Sequence, residues 1–287
     1  MSSHEPVFIV GDIHGQFDKL VGLLRTAGLV SSDLHWSGAR AALWFTGDFF
    51  DRGPDGIGAV ELAIRLQHEA AQVGGRVNSL VGNHEALIMS ARLFGERASG
   101  WGGTFKGDWV RNGGRASDLE RLEDRHLRWL ADRPAMALEG DRLLIHADSL
   151  LYCDYGLTLE QVNAAFRAIL SCDVPQAWDR LLEQFGDRLA FMDPELGPSS
   201  SLRDPVAARF LQIFGGRQIV HGHTPIGSVM RVPHDTVTGP LVYAGGMCVN
   251  VDGGMYRGGP GFVYELPPLA VVPAREGVPG AVAHDGA

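Results

Sequence analysis

The sequence predicts an α/β protein with two β-sheets, and three observations support this fold class. Over residues 7–93, short apolar runs alternate with segments of helical periodicity, which indicates strands joined by crossover helices. Residues 149–215 are dominated by helical periodicity and predict a cap. Closely spaced apolar runs near the C-terminus predict a second sheet. We expect one domain over residues 1–267, in which 94–135 and 149–215 are insert or cap segments, followed by a flexible tail over 268–287.

The N-terminal third repeats a strand, a polar loop and a helix. The apolar runs predict strands over residues 7–10, 41–46 and 77–81. Each run leads into a glycine-containing loop, in the order GDIHGQ, GDFFDRGPDG and GNHE. Helices are predicted from Phe17 to the stop signal Gly28, over residues 57–73, and directly after GNHE. In such a sheet, ligands gather beyond the carboxyl ends of the strands.

The rest of the chain is predicted to be helical first and then rich in strands. Residues 94–115 are rich in glycine and tryptophan and predict a loop-rich insertion. Thr158 and Gln161 have the spacing of a capping box, which predicts a helix from Thr158 to about residue 170. The other predicted helices cover residues 118–130, 176–185 and 205–214. The predicted strands cover residues 142–146, 217–220, 241–244, 247–251 and 262–264, the last four of them in the second sheet.

Composition and charge argue against several classes of protein. Hydrophobic residues make up 45% of the chain and charged residues 21%, which is typical of a globular protein. The formal net charge of −9 argues against a nucleic acid or an anionic membrane as partner, because both need clustered Lys and Arg. The start of the chain lacks the features of a signal peptide, so we expect a cytoplasmic location. Three widely spaced cysteines predict free thiols instead of a disulfide framework.

Side chains that can bind metals follow five of the predicted strands. They are Asp12 and His14 in GDIHG, Asp48 in GDFFDRG, Asn83 and His84 in GNHE, His146 in LLIHA, and His221 and His223 in VHGHTP. Two positions apart beyond a strand, Asp12 and His14 can point the same way and chelate one ion. A mixture of Asp, His and Asn suits manganese, iron or zinc better than magnesium or calcium. The sequence therefore predicts a site for divalent metal ions.

This ordered set of motifs resembles the calcineurin-like metallophosphoesterases. The form GDxHG…GDxxDRG…GNHE further resembles the phosphoprotein-phosphatase branch of that family, including its bacterial members. The resemblance extends from Gly11 to Thr224, with a weaker similarity in NVDGG and GGPGF near the C-terminus. It implies a four-layer α/β sandwich, in which two mixed sheets are flanked by helices and a binuclear metal centre lies between the sheet edges.

The resemblance also implies a ligand set for two divalent ions, of which manganese is expected and iron or zinc are alternatives. Asp12, His14 and Asp48 would bind the first ion. Asp48 would bridge to a second ion held by Asn83, His146 and His223. A carboxylate has two oxygens and can bridge, and a water molecule activated by the two ions would be the nucleophile. The two ions would also make the site positive on an acidic protein.

Further roles follow from the same resemblance. His84 would be the general acid that protonates the leaving oxygen, and Asp51 would pair with it and raise its pKa. Arg52 would bind the phosphate oxygens through its fork of donors, with Asn83 beside it. The family uses a second phosphate-binding arginine, and we choose Arg203 for its position in a Pro- and Ser-rich loop over the alternatives Arg188, Arg209 and Arg217.

Three positions keep open alternatives or depart from the family pattern. HGHT allows either histidine as ligand, and we favour His223, with His221 in a supporting role. Trp109, in a W-x-x-NGG segment, either lines the substrate groove or packs under a loop. Protein phosphatases of this family usually have Gly-Gly after the histidine that corresponds to His146, where this chain has Ala147 and Asp148. That departure weakens the transfer of substrate class more than the transfer of chemistry.

The sequence therefore predicts a phosphoesterase, and three functions remain to be compared. The leading one is hydrolysis of phosphate monoesters by a protein serine/threonine phosphatase-like enzyme, whose substrate is a phosphorylated protein or a small phosphate ester. The second is hydrolysis of dinucleoside polyphosphates or other nucleotides. The third is a non-catalytic phosphate-recognition module, which the complete set of expected ligands and His84 argue against. The oligomeric state is not predicted.

Overall fold

The computed structural model of this protein describes residues 5–192, 197 and 202–267. Its strands, numbered along the chain, are β1 (Val7–Val10), β2 (Ala42–Phe45), β3 (Arg76–Ser79), β4 (Met136–Glu139), β5 (Arg142–Ile145), β6 (Gln218–His221), β7 (Leu241–Tyr243), β8 (Cys248–Asn250) and β9 (Val263–Glu265). Its α-helices are α1 (Phe17–Thr26), α2 (Gly56–Gln72), α3 (Asn83–Phe94), α4 (Phe105–Arg111), α5 (Ala116–Arg121), α6 (Asp124–Ala131), α7 (Leu159–Leu170), α8 (Pro175–Gln184), α9 (Pro205–Phe214) and α10 (Ile226–Met230). The tail expected over residues 268–287 lies outside the described residues.

The strands form two mixed sheets, as expected. Sheet I has the strand order β3-β2-β1-β9, with β1, β2 and β3 parallel and β9 antiparallel to β1. Sheet II has the order β4-β5-β6-β8-β7, with β5, β6 and β8 parallel and the two edge strands antiparallel. The parallel strands of each sheet place their carboxyl ends at one edge.

Side-chain alternation along the strands explains how the sheets pack. Ile9 of β1 and Trp44 of β2 lie in one apolar cluster with Val220 of β6 and Val249 of β8, so one face of sheet I packs on one face of sheet II. The intervening residues point to the opposite faces and join the helices in the larger core. Leu43 of β2 belongs to that core. The result is the predicted sandwich of two sheets with helices outside.

The insertion and the second sheet differ from the expectations in three elements, one of which is β4, a strand that was not predicted. Residues 94–115 contain α4, a helix whose central Gly107 weakens the helical signal. The strand expected at 262–264 forms as β9, but it pairs with β1 in sheet I and not with the second sheet. Spacing along the chain indicates a strand but does not indicate its partner.

The helix expected over residues 118–130 is interrupted. Leu122 and Glu123 adopt extended backbone conformations, so α5 ends before them and α6 begins after them. The Glu123 side chain accepts a hydrogen bond from the first turn of α6, and His126 bonds back to the Glu123 backbone N–H. This reciprocal cap starts a new helix where the apolar period alone suggested one continuous helix.

In the described ranges, no helix is long and apolar enough to cross a membrane. The cytoplasmic location stays a prediction.

Candidate metal and phosphate site

The candidate site lies where the carboxyl ends of strands from both sheets meet. Asp12 and His14 follow β1, Asp48 follows β2, and Asn83 begins α3 directly after β3. From sheet II, His146 follows β5 and His223 follows β6. Five of these side chains are buried, and Asn83 is half-buried. The fold therefore brings the six predicted metal ligands to one place, although residues 12 and 223 are far apart along the chain.

Asp48 lies between two groups of potential ligands. Its Oδ2 is 3.6 Å from His14 Nε2, and its Oδ1 is 3.4 Å from His146 Nε2. Donor atoms of His14, Asp48 and His84 lie within 4.8 Å of one another, as do those of Asp48, His146 and His223. His84 is the predicted acid, and the first group of predicted ligands consists of His14, Asp48 and Asp12, whose Oδ2 lies 3.9 Å from His14 Nε2. The Asp48 carboxylate is common to both groups, which is the geometry that a bridging ligand requires.

The second group converges through acceptor atoms. Asn83 Oδ1 lies 3.0 Å from His146 Nε2 and 3.1 Å from His223 Nδ1, and the two ring nitrogens are 3.2 Å apart. His146 Nδ1 lies 2.8 Å from the Thr46 carbonyl oxygen and must donate to it, so His146 Nε2 carries a lone pair. An amide oxygen and an imidazole lone pair facing each other suit a cation between them.

In the first group too, a backbone carbonyl oxygen orients a histidine ring. His14 Nδ1 lies 2.9 Å from the Phe50 carbonyl oxygen, which leaves the lone pair on Nε2 directed at the carboxylates. Asp12 accepts the backbone N–H of His223 at 3.0 Å on both oxygens. Glycine is required at position 222, because a Cβ atom there would lie 2.2 Å from Asp12 Oδ1. Residues 221–223, at the carboxyl end of β6 in sheet II, therefore fix the position of Asp12, which follows β1 of sheet I.

The charges of the site fit divalent cations. Burial raises the pKa of Asp12 well above its usual value, and the neighbouring carboxylates of Asp252 and Asp48 raise it further. Burial likewise raises the pKa of Asp48, and the neighbouring Glu85 carboxylate raises it further. Burial lowers the pKa of His146 to about 3, which keeps the imidazole neutral. Crowded carboxylates beside neutral imidazoles bind metal ions well, since the ions neutralise the former and use the lone pairs of the latter.

Backbone strain is concentrated in these loops. Non-glycine residues with positive φ are uncommon and collect at functional sites. Five of them lie in the candidate site: His14 (46°), Asp48 (56°), Asp51 (70°), Arg52 (66°) and His223 (71°).

His84 and Asp51 form a buried pair next to the predicted metal ligands. His84 Nδ1 lies 2.6 Å from Asp51 Oδ2, and the indole N–H of Trp109 donates to Asp51 Oδ1 at 2.7 Å. The pairing of His84 with Asp51 agrees with the sequence prediction, but the expected rise in the pKa of His84 is opposed. Burial and the Arg52 guanidinium lower the pKa of His84, and burial raises that of Asp51 to about 8. Desolvation outweighs the ion-pair effect because both groups are fully enclosed.

Arg52 contacts both histidines of this region. Its Nη1 lies 2.6 Å from His14 Nε2, its Nη2 lies 2.8 Å from His84 Nε2, and the guanidinium stacks 4.2 Å above the centre of the Tyr256 ring. A guanidinium N–H and a metal ion cannot share the same lone pair of His14. Metal binding at His14 therefore requires Arg52 to release that nitrogen, which makes its donors available to an anion.

The cleft above these residues has a volume of about 140 Å³ and two further arginines at its edge, Arg188 and Arg257. Trp101 and Asn112 also line it, whereas Trp109 is fully buried. Of the two readings of Trp109 open from the sequence, packing is therefore the one that agrees with its position.

Arg203 is not brought to this cleft. It lines a separate cavity beside Gly245 and Met247, and its Nη2 lies 3.3 Å from Met247 Sδ. Arg188, one of the alternatives to Arg203 in the sequence, lines the cleft in its place. The sequence offers no motif that separates the two arginines, because the path of the cap decides which of them faces the predicted metal ligands.

The sequence matches the calcineurin-like phosphoesterase family over residues 5–227. The chain belongs to the calcineurin-like phosphoesterase family. The resemblance predicted from the motifs is confirmed at this level. The family implies two divalent metal ions, and the two groups of ligands that share Asp48 fit them.

Relatives within the phosphoesterase family carry different names. The chain is 31% identical over 83 residues to Shewanella-like protein phosphatase 2 of Arabidopsis thaliana, covering 29% of this chain and 21% of that protein. It is 29% identical over 143 residues to the symmetrical bis(5'-nucleosyl)-tetraphosphatase of Neisseria meningitidis, covering 50% of this chain and 43% of that protein. Each match spans less than half of the relative's own length.

The fold also has a counterpart among solved structures. The crystal structure of a cold-active protein-tyrosine phosphatase from a psychrophilic Shewanella species superposes with a TM-score of 0.66 and 24% sequence identity, covering 92% of this chain and 76% of that one. This likeness supports the phosphoesterase sandwich and its topology.

Two acidic residues of this phosphoesterase site were not predicted. Glu85 accepts the backbone N–H groups of Asp48, Phe49 and Gly82 at 2.7–2.8 Å, which ties the loop after β2 to the start of α3. Asp252 is buried beside Asp12 and accepts the N–H of Gly254. Glu85 belongs to the motif GNHE and Asp252 to NVDGG, so the sequence shows both residues but not the groups that they contact.

The departure at Ala147 and Asp148 has a structural explanation. The Tyr243 hydroxyl donates to Asp148 Oδ2 at 3.0 Å and lies 2.8 Å from His221 Nε2. All three side chains are buried. Asp148 and His221 therefore support the loops that carry His146 and His223, and His221 lies outside the ligand cluster.

Proposed function

We propose that this phosphoesterase is a metal-dependent phosphomonoesterase of the serine/threonine protein phosphatase type. The observation that carries the proposal is the size and lining of the cleft. At about 140 Å³ it is smaller than the 300–1,000 Å³ of pockets that enclose a whole ligand. Its lining of arginines and metal ligands suits a phosphate group. A phosphate would enter, and the rest of the substrate would remain outside on the protein surface.

The proposed mechanism begins with phosphate binding. Asp12, His14 and Asp48 would hold one divalent ion, and Asp48, Asn83, His146 and His223 would hold the other. Together the bound ions would lower the pKa of a water molecule and withdraw charge from the phosphate. Arg52 would bind the phosphate oxygens with its paired N–H donors.

The second part of the proposed mechanism is proton transfer to the leaving group. In its acid form His84 carries a proton on Nε2 as well as on Nδ1, so Nε2–H and the Arg52 guanidinium cannot donate to each other. Movement of Arg52 to the phosphate releases His84 Nε2, which then points at the leaving oxygen. Departure of Arg52 also removes one of the two causes that lower the pKa of His84, and Asp51, 2.6 Å from Nδ1, would then balance the charge of the imidazolium.

A substrate panel tests this proposal. A phosphoserine peptide, p-nitrophenyl phosphate and diadenosine tetraphosphate are compared by kcat/KM with manganese added. We expect the two monoesters to be hydrolysed with the higher kcat/KM. A higher kcat/KM for diadenosine tetraphosphate would overturn the monoesterase proposal and leave the metallophosphoesterase chemistry standing.

Hydrolysis of dinucleoside polyphosphates is the second candidate, and a specific observation favours it. The cleft brings three guanidinium groups, those of Arg52, Arg188 and Arg257, near the metal ligands, and the Trp101 and Tyr256 rings line it too. Several cations and aromatic rings suit a chain of phosphates with attached bases. The same substrate panel distinguishes the two.

We also propose that Arg188, in place of Arg203, is the second phosphate-binding arginine. Arg188→Ala is expected to raise KM for the phosphoserine peptide about tenfold, since one hydrogen bond to a charged group contributes about 1.5–3 kcal/mol and exposure reduces it. Arg203→Ala is the matched control and should leave KM unchanged. A larger KM effect in Arg203→Ala than in Arg188→Ala would reverse the assignment.

A further inference from the structure

The residue at the centre of this inference is Trp109, a fully buried tryptophan of α4. Its indole N–H donates to Asp51 Oδ1 at 2.7 Å, while the other oxygen of the same carboxylate is 2.6 Å from His84 Nδ1. Asp51 therefore joins the buried Trp109 to His84, which lines the cleft. The indole is thus linked to the proposed acid through Asp51.

The segment around Trp109 also fixes the neighbouring residue. The backbone N–H of Arg52 donates to the Gly113 carbonyl oxygen at 2.8 Å. Gly114 passes so close to the indole that a Cβ atom would lie 2.4 Å from the ring, and its N–H donates to the Trp109 carbonyl oxygen at 3.0 Å. Asp51 and Arg52 both have positive φ, a conformation that needs support from outside their own loop. Residues 109–114 provide that support.

The same segment is anchored to the helix that carries His84. The Phe105 ring of α4 packs on the Phe94 ring of α3 with 4.7 Å between centroids, and both rings are buried. His84 lies in the first turn of α3. The packing of α4 on α3 therefore fixes the distance of Trp109 from His84 as well as from Asp51.

We propose that Trp109 is a positioning residue, whose indole N–H holds the Asp51 carboxylate, and through it the His84 imidazole, in the orientation for proton transfer to the leaving oxygen. This inference rests on the proposed role of His84. A carboxylate rotates about its Cβ–Cγ bond unless both oxygens are held, and loss of the indole N–H leaves Asp51 Oδ1 buried without its donor. The imidazole would then lose its fixed direction.

Trp109→Phe removes the N–H and keeps an aromatic ring. We expect kcat on the phosphoserine peptide to fall about tenfold, with KM and metal content unchanged and little effect on p-nitrophenyl phosphate. Trp178→Phe is the matched control, because Trp178 is equally buried but donates to the Cys172 carbonyl oxygen at 3.0 Å. It should leave both substrates unaffected. Equal slowing of both substrates by Trp109→Phe would overturn the positioning role.

A double-mutant cycle separates positioning from packing. If Trp109 acts only through Asp51, then Trp109→Phe should cause no further loss of kcat when introduced into Asp51→Asn. Multiplicative losses would show an independent effect and overturn the proposal.

His84→Asn distinguishes failure of the proposed acid role of His84 from failure of the positioning role of Trp109. If it fails to discriminate between leaving groups, the proposed acid is wrong; if it discriminates and Trp109→Phe does not, only the positioning role is wrong.

A spectroscopic measurement tests the contact between Trp109 and Asp51 directly. In the proton NMR spectrum of the metal-loaded protein, the indole N–H resonance of Trp109 should shift in Asp51→Asn, and that of Trp178 should not. The resonance of the His84 Nδ1 proton should in turn shift in Trp109→Phe and not in Trp178→Phe. An unmoved Trp109 resonance in Asp51→Asn would overturn the proposed contact.

Discussion

Asp48→Asn is expected to lower kcat/KM by about 10³-fold, since metal ions contribute several kcal/mol to transition-state stabilisation and each 1.36 kcal/mol is a factor of ten. Asparagine preserves the shape of the side chain and one acceptor oxygen. It removes the charge and the second anionic oxygen, and Asp48 faces both His14 and His146. Metal analysis of the purified variant should find fewer than two ions per chain.

The effect of Asp48→Asn should exceed that of losing a ligand of one group only. His14→Asn and His146→Asn each remove a donor from a different group, and each should weaken the binding of one ion. Asp118→Asn is the control for loss of a buried carboxylate, because Asp118 accepts the N–H groups of Gly56 and Ile57 at the start of α2 and belongs to neither ligand group. Two ions bound with unchanged affinity in Asp48→Asn would contradict the bridging role.

The convergence of the six predicted metal ligands could be expected from the sequence because parallel strands end at a common edge. A short polar motif follows each of β1, β2 and β3, so assigning these strands is enough to place the three motifs side by side at one sheet edge. His146 and His223 follow β5 and β6 of the facing sheet. The choice of His223 over His221 agrees with the structure for a related reason. His221 is the last residue of β6 and points into the core, and His223 lies in the loop beyond it.

The parts that could not be predicted depend on packing between distant segments. Arg188 and Arg203 both lie in the region of the cap, and neither a period nor a motif shows which one faces the cleft. Trp109 could be seen in the sequence, but its bond to Asp51 connects residues 58 positions apart. The pKa of His84 was expected to rise on account of Asp51. The sequence shows the charged neighbour but not the depth of burial, which acts in the opposite direction.

His84→Asn is expected to separate proton donation from metal binding. On a phosphoserine peptide kcat should fall by about 10²–10⁴-fold, the usual contribution of general acid catalysis. The reason is that the serine alkoxide is a poor leaving group and needs a proton as it departs. With p-nitrophenyl phosphate, whose phenolate leaves unaided, the loss should be much smaller. Metal content should stay at two ions per chain, because the six proposed ligands remain.

The contrast between the two substrates is the decisive quantity in this experiment. Loss of a metal ligand would slow both reactions together, whereas loss of the acid slows only the one that requires a proton. His126→Asn is the control for removing a buried histidine, since His126 caps α6 and lies outside the cleft. It should leave kcat unchanged for both substrates. Equal slowing of both substrates by His84→Asn, with both ions retained, would mean that His84 binds or orients the phosphate and does not donate a proton.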